Sequence, residues 1–240
     1  MEQIRPEDVL YEDNHLVVVN KHPGENVQGD ISGDFPLVEK VREYIRHKFE
    51  KPGNVFCGLI HRLDRPVSGA IVFARTSKAL TRMNKLFAEK HPRKVYWAVV
   101  EQAPKEKAGA LVHHLERNEK QNKTYAYTES RKNSKEARLK YRQLASSDNY
   151  TLLEVELETG RHHQIRAQLS AIGCVIKGDL KYGAKRSNPD GSIYLHSREL
   201  EFEHPTSKEI VRVVAPVPKD NLWLWFEKEE SAKRMISDKQ

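Results

Sequence analysis

The 240-residue sequence has only two cysteines, Cys57 and Cys174, far apart and outside any Cys-x-x-Cys pair. That spacing excludes a disulfide framework and is read as two reduced thiols, the habit of a cytoplasmic protein. No apolar run approaches the roughly 20 residues that span a bilayer. The first residues, Met-Glu-Gln-Ile-Arg-Pro-Glu-Asp, lack the basic and then apolar layout of a secretory signal. No set of histidine, cysteine and acidic residues has the spacing of a metal site, because His113-His114 and His162-His163 are adjacent pairs. Neither a Walker loop nor a dinucleotide fingerprint is present, so nucleotide-cofactor chemistry has no motif to rest on. The expectation is an unanchored chain without metal or cofactor.

Acid is in deficit. Lysine and arginine number 41 against 34 aspartates and glutamates, a net charge of +7. Such an excess favours polyanions, and nucleic acid is the first partner to consider. The hydrophobic fraction is 38% and the charged fraction 31%. Periodic apolar segments nevertheless argue for a packed core.

His15 to Asn20 reads as a buried strand, and Asn26 to Asp34 as a polar loop. Pro36 opens a helix with Leu37, Val38, Val41, Tyr44, Ile45 and Phe49 on one face, ended by Pro52-Gly53. A strand over Gly69 to Ala74 precedes a helix with Ser77 as N-cap and Leu80, Met83, Leu86 and Phe87 as its apolar stripe. Lys94 to Val100 is the next strand. Around Ser147-Asp148-Asn149, Arg138, Lys140 and Arg142 alternate with apolar residues on one side, and Glu154, Glu156 and Glu158 do so on the other. A hairpin with that three-residue loop sets Arg142 against Glu154, Lys140 against Glu156 and Arg138 against Glu158. The charges then form a solvated ladder rather than a nucleic-acid stripe. A third helix starts near His163; strands follow at Ile193 to Phe202 and Glu209 to Val214, then a tryptophan-bearing stretch to Phe226 and a polar tail. This order mixes hairpins with isolated helices, which favours α+β with a mostly antiparallel sheet. With no repeat or linker, residues 1–240 are read as a single domain.

The densest unusual segment is His61-Arg62-Leu63-Asp64-Arg65-Pro66-Val67-Ser68-Gly69. An aspartate between two arginines sits in a field that favours its ionised form. Pro66 and Gly69 mark tight backbone able to fix a loop carboxylate. A fixed carboxylate can serve as nucleophile or general base; the competing reading is a surface ion pair. The second segment is Thr159-Gly160-Arg161-His162-His163-Gln164-Ile165-Arg166, at a strand-to-helix turn whose backbone donors suit phosphate.

Taken together with Lys94-Val95-Tyr96-Trp97-Ala98, Gly178-Asp179, Tyr182-Gly183, Leu195-His196, Phe202 and His204-Pro205, these segments resemble the RluA family of pseudouridine synthases. The likeness runs from about Tyr11 to about Pro216. It implies an α+β fold with a long, mostly antiparallel sheet, peripheral helices and an active-site cleft across it. It implies conversion of an RNA uridine to pseudouridine, with no cofactor. By the same resemblance Asp64 is the essential aspartate, Tyr96 stacks on the target base, and Arg166 pairs with the catalytic carboxylate. Leu195 lines the uracil pocket, and Arg62 fills the space the base vacates. Arg161 and His163 complete the substrate-binding set. Asp64 would attack the anomeric carbon or assist uracil departure through an unsaturated sugar; the residues do not choose between these routes. Tyr96 and Leu195 also fit a plain core role. Asn20-Lys21-His22-Pro23 departs from the family's Asn-Lys-Pro, and Val67 and His162 stand where threonine is common.

The first strand leaves no room for the S4-like domain of many relatives, so a compact monomer acting on tRNA or an rRNA stem-loop is expected. Contacts would come from Lys120 to Lys123, Arg131 to Lys135 and Lys181 to Arg186. Two rival readings remain at this point: a silent RNA-binding module, and a nucleoside hydrolase.

Overall fold

The computed structural model describes residues 3–29 and 33–237. Residues 30–32 of the polar loop lie outside the described residues. The chain divides into two compact units, one of residues 1–94 and 197–216, the other of residues 95–196 and 217–240.

The first unit begins with β1 (Val9–Glu12), β2 (Leu16–Lys21), α1 (Leu37–Lys48), β3 (Gly58–Leu59), β4 (Ser68–Ala74) and α2 (Ser77–Ala88). Next in chain order, β5 (Arg93–Val100) carries the chain into the second unit. That unit holds β6 (Ala108–Asn118), β7 (Lys123–Tyr127), β8 (Lys135–Ser146), β9 (Thr151–Leu157) and α3 (Gln164–Ala171). The chain returns within β10 (Leu195–Glu203), adds β11 (Ile210–Val214), and ends in the second unit with α4 (Asn221–Ser237).

In the first unit the strands run β1-β2-β4-β10, with β3 also on β4 and β11 on β10. Leu16, Val17, Val18 and Val19 are all fully buried, as a continuous apolar run requires when both faces of a strand are covered. Leu16, Val18, Ala70, Val72 and Phe202 share a core with Ala79 and Met83 of α2. Removing the Met83 side chain from water contributes about 1.5–3 kcal/mol. Gly69, at φ 114°, lets β4 approach Ser197 closely: a β-carbon there would lie 2.3 Å from the Ser197 carbonyl oxygen.

In the second unit the order is β5-β9-β8-β6-β7. The registers of β5 on β9, β9 on β8, β8 on β6 and β6 on β7 are all antiparallel. The expected α+β class with a mostly antiparallel sheet is therefore found.

The local expectations need four corrections. The cap of α2 is Thr76, whose hydroxyl oxygen accepts the Ala79 N–H at 3.1 Å; Ser77 is already helical. Helix α1 stops at Lys48, before Pro52-Gly53, and Phe49 leaves the buried stripe, 41% exposed, with the Arg75 guanidinium 4.3 Å over its ring. The β8–β9 hairpin pairs Arg142 with Glu154 and Lys140 with Glu156 as expected, yet Ser146 pairs with Thr151, which makes the loop four residues. A bulge between Gln143 and Ala145 absorbs the extra residue. The Leu144 carbonyl at that bulge accepts from Lys233 Nζ at 2.6 Å. Finally, the tryptophan-bearing stretch and the polar residues after it form one helix, α4.

Candidate active-site loop and its supports

Asp64 lies in the first unit, half-buried, on the loop between β3 and β4. The backbone around it is bonded at successive points. The Val67 N–H donates to the Asp64 carbonyl at 3.0 Å, closing a turn with Arg65-Pro66 at its centre. Gly24 N–H donates to the Arg65 carbonyl at 2.8 Å, and Arg65 Nε donates back to the Gly24 carbonyl at 3.0 Å. Arg65 Nη2 also reaches Asp34 at 2.8 Å.

Beneath this turn lies Lys21, the last residue of β2 and 0% exposed. Its Nζ donates to the carbonyls of His22 at 3.0 Å, Arg65 at 3.0 Å and Val67 at 2.6 Å. An ammonium has three hydrogens and no acceptor, so three carbonyls satisfy it fully. Burial pushes Lys21 down to about 7, against the opposing pull of Glu25 and Asp64. In sequence Lys21 shows only within the Asn20-Lys21-His22-Pro23 departure; the signal that marks it is a cation ending an apolar, buried strand.

His61 extends the β3 side of the ladder with its ring. The Val72 N–H donates to His61 Nε2 at 3.1 Å, and the ring stacks on Phe87 with centroids 5.0 Å apart. Burial pushes His61 down to about 3, with the Lys94 charge adding to it, so the ring is neutral and accepts at Nε2. Leu63 and Val67 are buried and Arg62 is exposed, which turns the Arg62 side chain to solvent while its neighbours anchor the loop.

In the second unit, Arg161, His163 and Arg166 gather at the start of α3. His163, at φ 51°, ends the incoming turn in the left-handed region. Gln164 Oε1 accepts from the Arg161 N–H at 3.0 Å and the Thr159 hydroxyl at 2.8 Å, while its Nε2 donates to the Arg138 carbonyl at 3.0 Å. This side chain thus takes up the Arg161 N–H, one of the backbone donors of the turn that would suit phosphate. Arg161 Nε donates to the Glu136 carbonyl at 3.1 Å. His163 is buried, its Nδ1 2.9 Å from the Tyr182 hydroxyl, and it stacks on His162 at 3.7 Å. The same hydroxyl accepts from the Thr124 N–H at 2.8 Å.

Arg166 is buried and forked onto Asp179, Nε to Oδ2 at 2.7 Å and Nη2 to Oδ1 at 2.9 Å. Its guanidinium carbon stands 5.0 Å from the Tyr182 ring centroid. Asp179 and Tyr182 were quoted as motif members, but nothing in their spacing announced that they hold Arg166 and His163.

Tyr96 is 7% exposed on β5, opposite Val155 of β9. Leu195, 4% exposed, opens β10, and the preceding Tyr194 carbonyl accepts the Val99 N–H of β5 at 2.9 Å. Helix α4 backs this segment. Tyr194 stacks on Trp223 at 5.2 Å and donates its hydroxyl to Asp220 Oδ1 at 2.6 Å; that oxygen also accepts the Leu222 N–H at 3.0 Å, capping α4.

Of the basic clusters, Lys120 to Lys123 sits at the β6–β7 turn and Arg131 to Lys135 between β7 and β8. Lys181 of the third cluster donates to the Asn122 carbonyl at 3.0 Å, which ties it to the first. Among the described residues no group of three or more histidine, cysteine and acidic side chains could hold a metal ion. No helix among them is long and apolar enough to cross a membrane.

The family model described as RNA pseudouridylate synthase matches residues 15–171. An uncharacterized RNA pseudouridine synthase of Synechocystis sp. is 34% identical over 89% of this chain and 66% of its own length. The ribosomal large subunit pseudouridine synthase D of Xylella fastidiosa is 33% identical over 90% of this chain and 67% of its own. The chain thus spans about two thirds of the length of these curated relatives. Among solved structures, human RNA pseudouridylate synthase domain containing 4 superposes with a TM-score of 0.76 at 23% identity, covering 94% of this chain and 93% of that one.

Proposed function

This chain belongs to the RNA pseudouridylate synthase family, and from that premise we propose that it isomerises a uridine of tRNA or of an rRNA stem-loop to pseudouridine. The observation that carries the reading is Asp64 in the family's motif, on a turn held from below by the bonds of Lys21 to the Arg65 and Val67 carbonyls. A nucleophile or base must meet the sugar in a fixed pose, and a loop bonded at Asp64, Arg65 and Val67 supplies that rigidity.

In this reading the target uridine leaves its stack, at a cost of a few kcal/mol, and Arg62 enters the space it vacates. Tyr96 stacks on the extruded base, worth roughly 1–3 kcal/mol. Asp64 then acts at the sugar, either attacking the anomeric carbon or assisting uracil departure. The base turns and rejoins through carbon, so atoms and charge balance within the substrate, and neither cofactor nor metal is needed. By the family resemblance Arg166 is the arginine that pairs with the catalytic carboxylate, and Leu195 lines the uracil pocket. Arg161 contacts RNA, and His163, buried against Tyr182, holds the turn that presents it. One catalytic domain made of both units, working as a monomer in the cytoplasm, completes the proposal.

The test is pseudouridine mapping by carbodiimide labelling and sequencing, in cells with and without this gene, complemented by wild type or Asp64→Asn. One position lost and restored only by wild type supports the enzyme and names its substrate. Free uracil released from RNA by the purified protein would identify a hydrolase instead, since isomerisation conserves mass.

A further inference from the structure

A cavity of about 320 Å³ opens on the second unit, at the end of α3 away from Arg166. Ala126 of β7 and Ala171 of α3 are its small residues, and His113, Tyr127, Glu129 and Arg131 supply its aromatic and charged lining. Its volume lies at the low end of the roughly 300–1,000 Å³ of small-ligand sites, room for one nucleotide and not for a duplex.

His113 is 9% exposed, and its Nδ1 lies 3.1 Å from Gln168 Nε2, which also bonds the Leu111 and Ala137 carbonyls at 3.2 Å and so ties the ring to the strands beneath. Burial lowers the His113 pKa and keeps the ring neutral. Arg131 lies flat over Tyr127, guanidinium carbon to ring centroid 3.5 Å. Ser134 Oγ bonds both the Arg131 N–H and the Arg131 carbonyl at 2.8 Å, which fixes the rim. The lining therefore offers a neutral imidazole, a carboxylate, the hydroxyls of Thr128 and Ser130, and a cation stacked on an aromatic ring. Lys132 and Lys135 stand exposed just beyond it in the chain.

We propose that this cavity binds one unpaired nucleotide of the RNA, separate from the target uridine, and that it selects looped over fully paired RNA. The proposal rests on RNA being the substrate, as inferred above. Unpaired bases are read by stacking on aromatic rings and guanidinium planes and by bonds to their edges. Arg131 meets the phosphate or the base face. Glu129 accepts from an exocyclic amino group, the small alanines admit the flat base, and His113 meets the base edge. A purely apolar ligand would leave these groups unpaired, and a simple anion would leave the cavity empty around it.

The test uses the full chain with two fluorescent probes, a stem-loop RNA and a blunt duplex of the same stem. Variants Ala171→Phe, which narrows the cavity, and Arg131→Gln are compared with wild type after their thermal melts are matched. Wild type is expected to prefer the stem-loop, and each variant to lose about tenfold in stem-loop affinity with duplex affinity within twofold. Equal losses on both probes, or none on either, overturn the subsite. If wild type keeps the loop preference yet forms no pseudouridine in cellular RNA, the subsite stands and the catalytic reading alone falls.

Discussion

Asp179 grips Arg166 with both carboxylate oxygens, at 2.7 Å to Nε and 2.9 Å to Nη2, and the two side chains are 1% and 6% exposed. A buried fork of this kind orients a guanidinium more than it stabilises the fold, because desolvation offsets much of the attraction. Breaking it from one side is another matter. Asp179→Ala strips both bonds of the fork from a buried cation and should cost about 3–5 kcal/mol in urea unfolding. Arg166→Lys keeps the charge but loses the planar fork. It should lower kcat at least tenfold with a much smaller change in stability. Equal and small effects of both variants on kcat would show that the orientation of Arg166 does not matter to turnover.

The reading of Asp64 as the reacting carboxylate makes a separable demand. Asn has nearly the same shape and can occupy the same turn, whose backbone is held by the Val67 N–H and by Lys21. Asp64→Asn should abolish turnover, leave RNA affinity within a few-fold, and leave the melting temperature nearly unchanged. Retained turnover above about a hundredth of wild type would remove Asp64 from the chemistry.

The β8–β9 hairpin shows how far pattern alone could reach. Apolar faces and opposed charges chose the register of Arg142 and Glu154 correctly, although the loop length behind that choice was one residue short. The bulge restored the register, and the signal for it lies far along the chain, in Lys233, which satisfies the Leu144 carbonyl. Helix α4 was hidden for a related reason. Its buried positions, Trp223, Phe226 and Glu230, are apolar only in the first two turns, so the stripe fades before it is long enough to read. In the β6–β7 hairpin only His113, Leu115 and Thr124 are buried, and two of the three are polar, which removes the contrast that marks a half-buried strand. At the candidate site, the likeness of the motifs singled out Asp64 and Arg166. Their supports, Lys21, Asp179 and Tyr182, depend on contacts between segments distant in sequence, where no periodicity operates.

Lys21 gives a pH signature. In the unfolded chain its amine titrates near 10.5, whereas burial brings it to about 7 in the folded protein. Between those values the unfolded state holds a proton that the folded state has lost, so stability rises with pH. The penalty is fully present below about pH 7 and fades towards 10.5. The slope contributed by one such group approaches about 1.4 kcal/mol per pH unit. Urea unfolding at pH 7.5 and 9 should therefore show wild type gaining more than Lys21→Met by about 1–2 kcal/mol. Lys21→Met should also be less stable at both values, since the Arg65 and Val67 carbonyls lose their donor. Parallel pH dependences would mean that Lys21 stays charged throughout, held by its three carbonyls.

Gly69 tests the packing that carries the Asp64 loop into β4. Two effects oppose a side chain there: the φ of 114°, and a β-carbon position 2.3 Å from the Ser197 carbonyl oxygen and 2.6 Å from the Ser197 nitrogen. Both neighbours are backbone of β10 and cannot rotate away. Gly53 separates the two effects, since its φ is 77° and nothing lies within 4 Å of where its β-carbon would stand. Gly53→Ala should cost about 1 kcal/mol, the strain of the left-handed region alone. Gly69→Ala should cost about 3 kcal/mol or more, because β4 and β10 must part to admit the methyl group. Chemical denaturation of the two variants decides it. Costs that agree within about 0.5 kcal/mol would assign the whole effect to backbone strain and deny the close approach of the strands.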